Sequence, residues 1–446
     1  MARETAWHLL RSGSDTPMRL VDSFAHEAGL EPRDRGLMRK IVGTEVRRRG
    51  TLRALVKHFS NGKPSIEMAT HLRVGFAQLF FLDQVPVHAA VSETVRATTN
   101  TLGQSKGRYV NAVLRTALRA RRPGHSGDAR CDIVGRDWHL DEPIFHNPEE
   151  HPFLWAEDAL SVPAPLMKRW GKRLGREAAF ELGRIYLEEP DIALRVMAGE
   201  REAVIADLAA VDVEARPSSH AASLLVPAGS ASAVLGLAAF KEGRLTIQGE
   251  SAQSAAELMQ AREGERILDL CAAPGGKTAV LLQAGANVVA ADSNANRLEM
   301  LRSGLERFGY ADGRLETVVS DGTAELVADT AKFDGVFVDV PCSNTGVLGA
   351  RPGARWRFGP LGQRNLGELQ TRLLSEAAER VAPGGRLVYS TCSIEPDENQ
   401  YRVREFLANS PEFELEVDHS ATPAAPGSSG PVDGGFAARL RRKDGA

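Results

Sequence analysis

Two of the four cysteines occupy matching settings, Pro341-Cys342-Ser343 and Thr391-Cys392-Ser393, each just past an apolar, strand-like run. A thiolate can add to an electron-poor carbon and later be expelled, so a pair of this kind suits covalent catalysis. A lone cysteine near a strand end is usually a small buried hydrophobe. Meeting the setting twice argues against that reading. An unperturbed thiol titrates near ~8.5, so a reactive one needs a positive charge or a helix N-terminus beside it. Asp339, three residues before Cys342, adds an acid at the same strand end. None of Cys131, Cys271, Cys342 and Cys392 forms a CxxC pair, so no zinc or other metal site is expected. Without a secretion signal, free thiols are expected, not disulfides.

The second constellation is Asp269–Thr278, DLCAAPGGKT, set between the apolar run Arg266-Ile267-Leu268 and the helix-like run Thr278 to Leu282. Strand, tight turn and helix in this order form the first unit of a doubly wound α/β fold, with Gly275 and Gly276 where the backbone turns closely. About 20 residues on, Asp292 ends another apolar run, where an acid suits the two hydroxyls of a nucleoside ribose. The closing Gly-Lys-Thr suggests a phosphate-binding P-loop, but that motif needs a glycine where this chain has Cys271. A nucleoside-bearing ligand fits better than a bare phosphate.

The same ten residues resemble the S-adenosylmethionine loop of the Sun/Fmu (RsmB-type) family of RNA 5-methylcytosine methyltransferases. The proline after two alanines and the lysine after two glycines carry the likeness. Three N-terminal segments, DRGLMRKIVGTEVRRRG, VPVHAAVSETV and KGRYVNAVLR, look like a NusB-like RNA-binding domain and come in the family's order. The resemblance implies roles residue by residue. Cys392 matches the nucleophile that attacks carbon 6 of cytosine, and Cys342 the cysteine that assists release of the adduct. Asp339 matches the acid at the base edge and at the cofactor, and Lys277 a lysine near cofactor and base. Cys271, Ala272, Ala273, Pro274, Gly275, Gly276 and Lys277 match the cofactor loop, with Asp292 at the ribose, Asp321 near the adenine and Arg297 a further candidate. The chemistry fits: carbon 5 is a poor nucleophile until a thiolate adds to carbon 6. Methyltransferases acting on DNA cytosine use a Pro-Cys motif, so Pro341-Cys342 alone would point to Cys342. The Thr-Cys-Ser motif favours Cys392.

These residues need elements to hold them. From Gln248 onward strand and helix patterns alternate as in a parallel sheet. Strands are predicted near 266–271, 287–292, 315–320, 334–340, 386–391, 413–418 and 436–442, with helices over 294–308, 363–381 and 397–408. Cys271–Lys277, Asp292, Asp321, Asp339 with Cys342, and Cys392 then fall at strand carboxyl ends, where such sheets bind ligands. Arg351, Arg355, Trp356 and Arg357 follow the Asp339 motif and suit phosphate contacts and stacking on an unpaired base. A structural tryptophan among solvated arginines is the competing reading.

The fold class expected is multidomain: an all-α NusB-like domain (1–125), a linker (126–160), a small α+β RNA-contacting subdomain (161–247) and a Rossmann-like class I methyltransferase domain (248–446). Residues Leu166 to Leu187 are amphipathic, and short strands are predicted at 193–197, 224–227 and 245–247 around a helix at 201–210. The family's arginine-valine-asparagine segment reads Arg195-Val196-Met197 here.

Net charge is −3, but residues 1–125 hold 21 Lys+Arg against 10 Asp+Glu. A basic first domain on an acidic body points to a polyanion partner. Its basic clusters are Arg33, Arg35, Arg39 and Lys40, then Arg47, Arg48, Arg49 and Arg53. No apolar run approaches the ~20 residues of a membrane span, and a cytoplasmic monomer is expected. The expected substrate is 16S ribosomal RNA, with no DNA and no membrane partner. Two other readings are the same chemistry on transfer RNA and a non-catalytic RNA-binding or assembly protein. The intact Cys342, Cys392, Asp339 and Lys277 argue against the last.

Overall fold

The computed structural model describes residues 1–60, 62–218, 220–310, 313–320, 332–428 and 430–445. It divides into two compact units, Met1–Glu188 with Arg351–Gly359, and Glu189–Ala350 with Pro360–Ala446.

The first unit is helical. Among the described residues seven helices, from Ala2–Arg11 to Gln104–Ala120, bury one apolar stripe each, with Leu9, Val21, Met38, Ile41 and Val74 among the side chains enclosed. The expected all-helical stretch ends at Ala120. Arg121–Pro123 is instead a strand, paired antiparallel with Trp138–Leu140. The expected linker is likewise ordered and carries the helix Pro152–Ala159. Its apolar side chains explain this: Trp155 and Leu160 are buried, and Gly50 lets the helix Arg49–Phe59 approach so closely that a Cβ would stand 1.8 Å from Glu157 O. Thr51 Oγ1 then donates to Asp158 O at 2.9 Å.

The amphipathic run 166–187 forms two helices, Ala164–Leu174 and Arg176–Ile185, broken at Gly175, whose φ of +87° favours glycine. These helices group with the first unit, not with the small α+β part as expected. Trp170 is fully buried and tilts against Tyr186 at 5.8 Å, so the pair belongs to this helical core.

Among its described residues the second unit holds two sheets. The smaller has four antiparallel strands in the order Arg216–Pro217, Ser223–Val226, Ile192–Val196, Leu245–Ile247, matching the three predicted strands and adding one. Leu194, Leu224, Leu245, Val204 and Leu208 close its core, the last two from the helix Arg201–Ala209.

The larger sheet has seven strands: β1 Arg266–Leu270, β2 Asn287–Asp292, β3 Leu315–Val319, β4 Phe333–Asp339, β5 Val381–Thr391, β6 Phe413–Ala421 and β7 Gly435–Arg442. Their spatial order is β6-β7-β5-β4-β1-β2-β3. The five from β5 to β3 run parallel, and β7 lies antiparallel to both β5 and β6. Alternate residues serve opposite faces. Leu268, Leu270, Val336 and Val338 pack with Leu373 and Leu374 of the helix Pro360–Glu379, while Ile267, Phe337 and Val388 pack with Leu281, Leu298 and Leu301. Strand order reverses direction between β1 and β4. Such a switch point opens a crevice beyond the strand carboxyl ends.

Candidate active site

The glycine loop leaves β1 and enters the helix Gly276–Gln283. Cys271 takes a left-handed φ of +69°, and Gly275 one of +98°, where a Cβ would lie 2.8 Å from Leu301 Cγ. Glycine is therefore required at 275 on two counts. Main-chain bonds set the loop: Ala272 N donates to Ala291 O at 2.8 Å, and Gly275 N to Ala272 O at 2.8 Å.

Asp292, at the end of β2, is buried and accepts from Ala273 N at 3.3 Å and Asn294 N at 3.1 Å. Arg297 pairs with Asp292 at 3.1 Å and donates to Ala273 O, so it braces the loop against the acid. Asp321 lies outside the described residues.

Lys277 and Asp339 meet across the switch point, Nζ to Oδ2 at 2.6 Å. Burial opposes the Lys277 charge, but Asp339, aided by Cys392 and Asp269, more than offsets it, and the ammonium is held above the usual lysine value. Ser390 Oγ donates to the other Asp339 oxygen at 2.7 Å. Under the loop, Asp269 is buried, accepts from Thr278 Oγ1 at 2.6 Å, and is pushed up to about 7 chiefly by burial.

The two thiols stand 3.1 Å apart, Cys342 Sγ to Cys392 Sγ. Cys342 follows β4 and Cys392 follows β5, which are paired in parallel, with Asp339 opposite Ser390. Gly346 permits the two loops to close up: its N donates to Cys392 O at 3.1 Å, and a Cβ there would lie 2.3 Å from Gly434 O. Asn344, at a φ of +60°, accepts from Cys392 Sγ at 3.2 Å and donates to Cys342 O at 2.7 Å. Cys342 is buried, and its hydrogen bond with Cys392, then burial, hold its thiol well above the usual range. Cys392 is partly open. Cys271, by contrast, is pushed up to about 12 by burial, so it is a wall of the site and not a reactive thiol.

The fit to a nucleoside cofactor with an ammonium group rests on two buried acceptors near the loop. Asp269 Oδ1 and Gln248 Oε1 have no hydrogen-bond partner among the described residues, while Gln248 Nε2 donates to Gly276 O at 3.0 Å. Unsatisfied buried acceptors are rare and suit a donor-bearing ligand. Cys271–Lys277 and Asp292 would hold it. Asp269, Gln248, Ser390 and Asn344 escaped the sequence reading as site residues. Ser390 and Asn344 lie inside the two cysteine motifs, but Gln248 carries no local signal.

The arginine-tryptophan segment departs from the phosphate-contact expectation. Arg355 is fully buried and donates to Pro352 O, Ser161 O and Tyr186 O at 3.1, 3.2 and 2.8 Å. Trp356 Nε1 donates to Val46 O at 2.8 Å, and the guanidiniums of Arg49 and Arg53 lie over its ring. The structural reading of this tryptophan is the one observed. Arg47 and Arg48 are also buried, donating to Glu188 O and Val134 O at 3.1 and 2.7 Å, so half of that basic cluster is structural. Lys106, Arg108, Arg115 and Arg119, on the helix Gln104–Ala120, are exposed.

A seven-stranded sheet of this order, with an antiparallel β7 and a glycine loop at its switch point, defines a Rossmann-like S-adenosylmethionine-dependent methyltransferase, here joined to a helical domain. Residues 256–429 match the family of 16S rRNA methyltransferase RsmB/F, and residues 2–119 match the NusB family. Ribosomal RNA small subunit methyltransferase B of Yersinia pseudotuberculosis is 32% identical over 388 residues, spanning 83% of this chain and 81% of that one. The probable ribosomal RNA small subunit methyltransferase B of Bacillus subtilis is 28% identical over 408 residues, spanning 89% of this chain and 85% of its own. The crystal structure of PH0851 shares the fold, with a TM-score of 0.74 and 23% identity over 99% of this chain and 97% of that one. The chain belongs to the RsmB/F family of 16S rRNA methyltransferases.

Proposed function

We propose that this methyltransferase modifies carbon 5 of a cytosine in 16S rRNA through a covalent bond between Cys392 and carbon 6. The observation that carries the reading is the thiol pair at 3.1 Å beside the Lys277–Asp339 ion pair. S-adenosylmethionine, when bound by Cys271–Lys277, Asp292 and Asp321, supplies an electrophilic methyl group on a sulfonium.

Cys392 adds as thiolate to carbon 6, forming the C–S bond and moving the ring's double-bond pair onto carbon 5, which takes the methyl group as the sulfonium–methyl bond breaks and its pair stays on sulfur as a thioether. The carbon 5 proton is then lost to water, the double bond re-forms, and the C–S pair returns to Cys392. Cys342, within hydrogen-bond reach, donates its S–H to the departing sulfur and so assists release. Asp339 accepts from the cytosine amino group, and Lys277, at 2.6 Å, holds Asp339 in place. The base must be unpaired or flipped out, since a thiol cannot reach carbon 6 within a stacked helix.

The NusB-like helical domain and the small sheet domain hold the RNA, and the enzyme works as a cytoplasmic monomer. Among the described residues no helix is long and apolar enough to cross a membrane. Methylation of 16S RNA, 30S precursor particles and total tRNA, followed by nucleoside mass spectrometry, tests the reading. 5-Methylcytidine in 16S RNA and none in tRNA is expected. Methylation at another atom, or of tRNA alone, would sink it.

A further inference from the structure

Glu398 lies in the turn after Cys392, almost wholly enclosed. Its carboxylate gathers three neutral donors. Ser343 N reaches Oε2 at 2.8 Å, Gln370 Nε2 reaches Oε2 at 3.1 Å, and Ser393 Oγ reaches Oε1 at 3.2 Å. Ser343 is the residue after Cys342 and Ser393 the residue after Cys392, so one carboxylate fastens the chain beside each thiol. Gln370 continues the tie to Pro341 O at 2.9 Å, on the other side of Cys342. The neighbouring Asn399 accepts from Thr391 Oγ1 at 2.6 Å and donates to Ser393 O at 2.8 Å, bracketing Cys392. Tyr389 OH donates to the Glu398 carbonyl at 2.6 Å and anchors the turn on β5.

Charged groups flank the pair. Lys277 interacts favourably with the Cys392 thiolate, while negative charge on Cys342 is disfavoured first by its hydrogen bond with Cys392, then by burial, and further by the charges of Cys392 and Glu398. Two thiols in contact share one ionisation, and the flanking charges decide which sulfur carries it. We propose that Glu398 is a positioning residue that holds the two cysteine loops together and, by its charge, leaves the proton on Cys342 and the thiolate on Cys392. This rests on Cys392 as nucleophile and explains why Cys342, not its neighbour, has a proton to donate at release.

The test is alkylation of the full-length enzyme with limiting iodoacetamide at pH 7.5, mapped by mass spectrometry, beside steady-state methylation of 16S RNA. Wild type should be alkylated at Cys392 in preference to Cys342. Glu398→Gln keeps the shape and removes the charge, and should shift labelling from Cys392 toward Cys342. Glu398→Asp keeps the charge with a shorter reach; its ratio should stay within about twofold of wild type while kcat falls by about tenfold or more. S-adenosylmethionine binding, measured in each variant, reports the fold. An unchanged ratio in Glu398→Gln with cofactor binding intact, or a Glu398→Asp ratio moved as far as that of Gln, overturns the proposal. Wild type alkylated first at Cys342 would instead overturn the nucleophile assignment beneath it.

Discussion

Asp339→Asn isolates the ion pair on which the site depends. Lys277 and Asp339 are 2.6 Å apart, with side chains only 18% and 32% exposed. Breaking one end of a buried pair costs about 3–5 kcal/mol and of an exposed pair about 0–1 kcal/mol. This pair lies between, so the substitution should lower stability by about 2–3 kcal/mol. Lys277→Met/Asp339→Asn leaves no orphaned charge and should recover most of that, giving a coupling of about 2 kcal/mol.

The pH dependence has a definite sign. In the wild type the folded Lys277 is held above its unfolded value, so its contribution is complete at neutral pH and fades only as pH rises through that raised value. With Asp339 neutral, burial is left as the larger influence and depresses Lys277. The unfolded chain then binds the proton more tightly, and stability rises with pH up to about 10.4. Urea unfolding at pH 7 and pH 9.5, followed by tryptophan fluorescence, should show the gap between wild type and Asp339→Asn narrowing at the higher pH. A gap independent of pH, or a double variant no more stable than the single one, would show that Asp339 does not hold the Lys277 charge.

Three further outcomes follow from the same geometry. Glu257 accepts from Arg195 at 2.7 Å and His220 at 2.9 Å; burial pushes it up, but these partners outweigh burial and hold it at about 2. Its contribution is present above about 4.5 and is lost as pH falls toward about 2, so acid unfolding of Glu257→Gln should be flatter over that window. Cys271, raised to about 12, should stay unalkylated at pH 8 under conditions that label Cys392; early labelling of Cys271 would contradict its place as a wall. Arg355→Met removes donors from three buried carbonyls and should cost about 3–5 kcal/mol in unfolding experiments, whereas Arg357→Ala, at an exposed position, should stay within about 0.5 kcal/mol.

The sheet domain was largely legible because its strands are apolar runs with a loop motif between them, and Asp339, Cys342, Cys392 and Lys277 come together as their strand-end positions imply. Arg355 and Trp356 were not legible. Arginines flanking a tryptophan look alike whether they meet phosphate or, as here, main-chain carbonyls, and only the fold supplies Ser161 O and Tyr186 O. Residues 126–160 read as a linker because prolines and glycines mask periodicity, yet Trp155 finds its core through contacts distant in sequence. Glu398 reaches Ser343 and Gln248 reaches Gly276, 55 and 28 residues away, distances at which no local pattern exists.

The mechanism stands on a covalent bond from Cys392 to the RNA. Cys342→Ala protein incubated with S-adenosylmethionine and 16S RNA, then run on a denaturing gel, tests it most directly, because loss of the release thiol should strand the adduct. A protein–RNA band is expected in Cys342→Ala and none in Cys342→Ala/Cys392→Ala. A band that survives in the double variant, or no band together with methylation by Cys392→Ala, would contradict it.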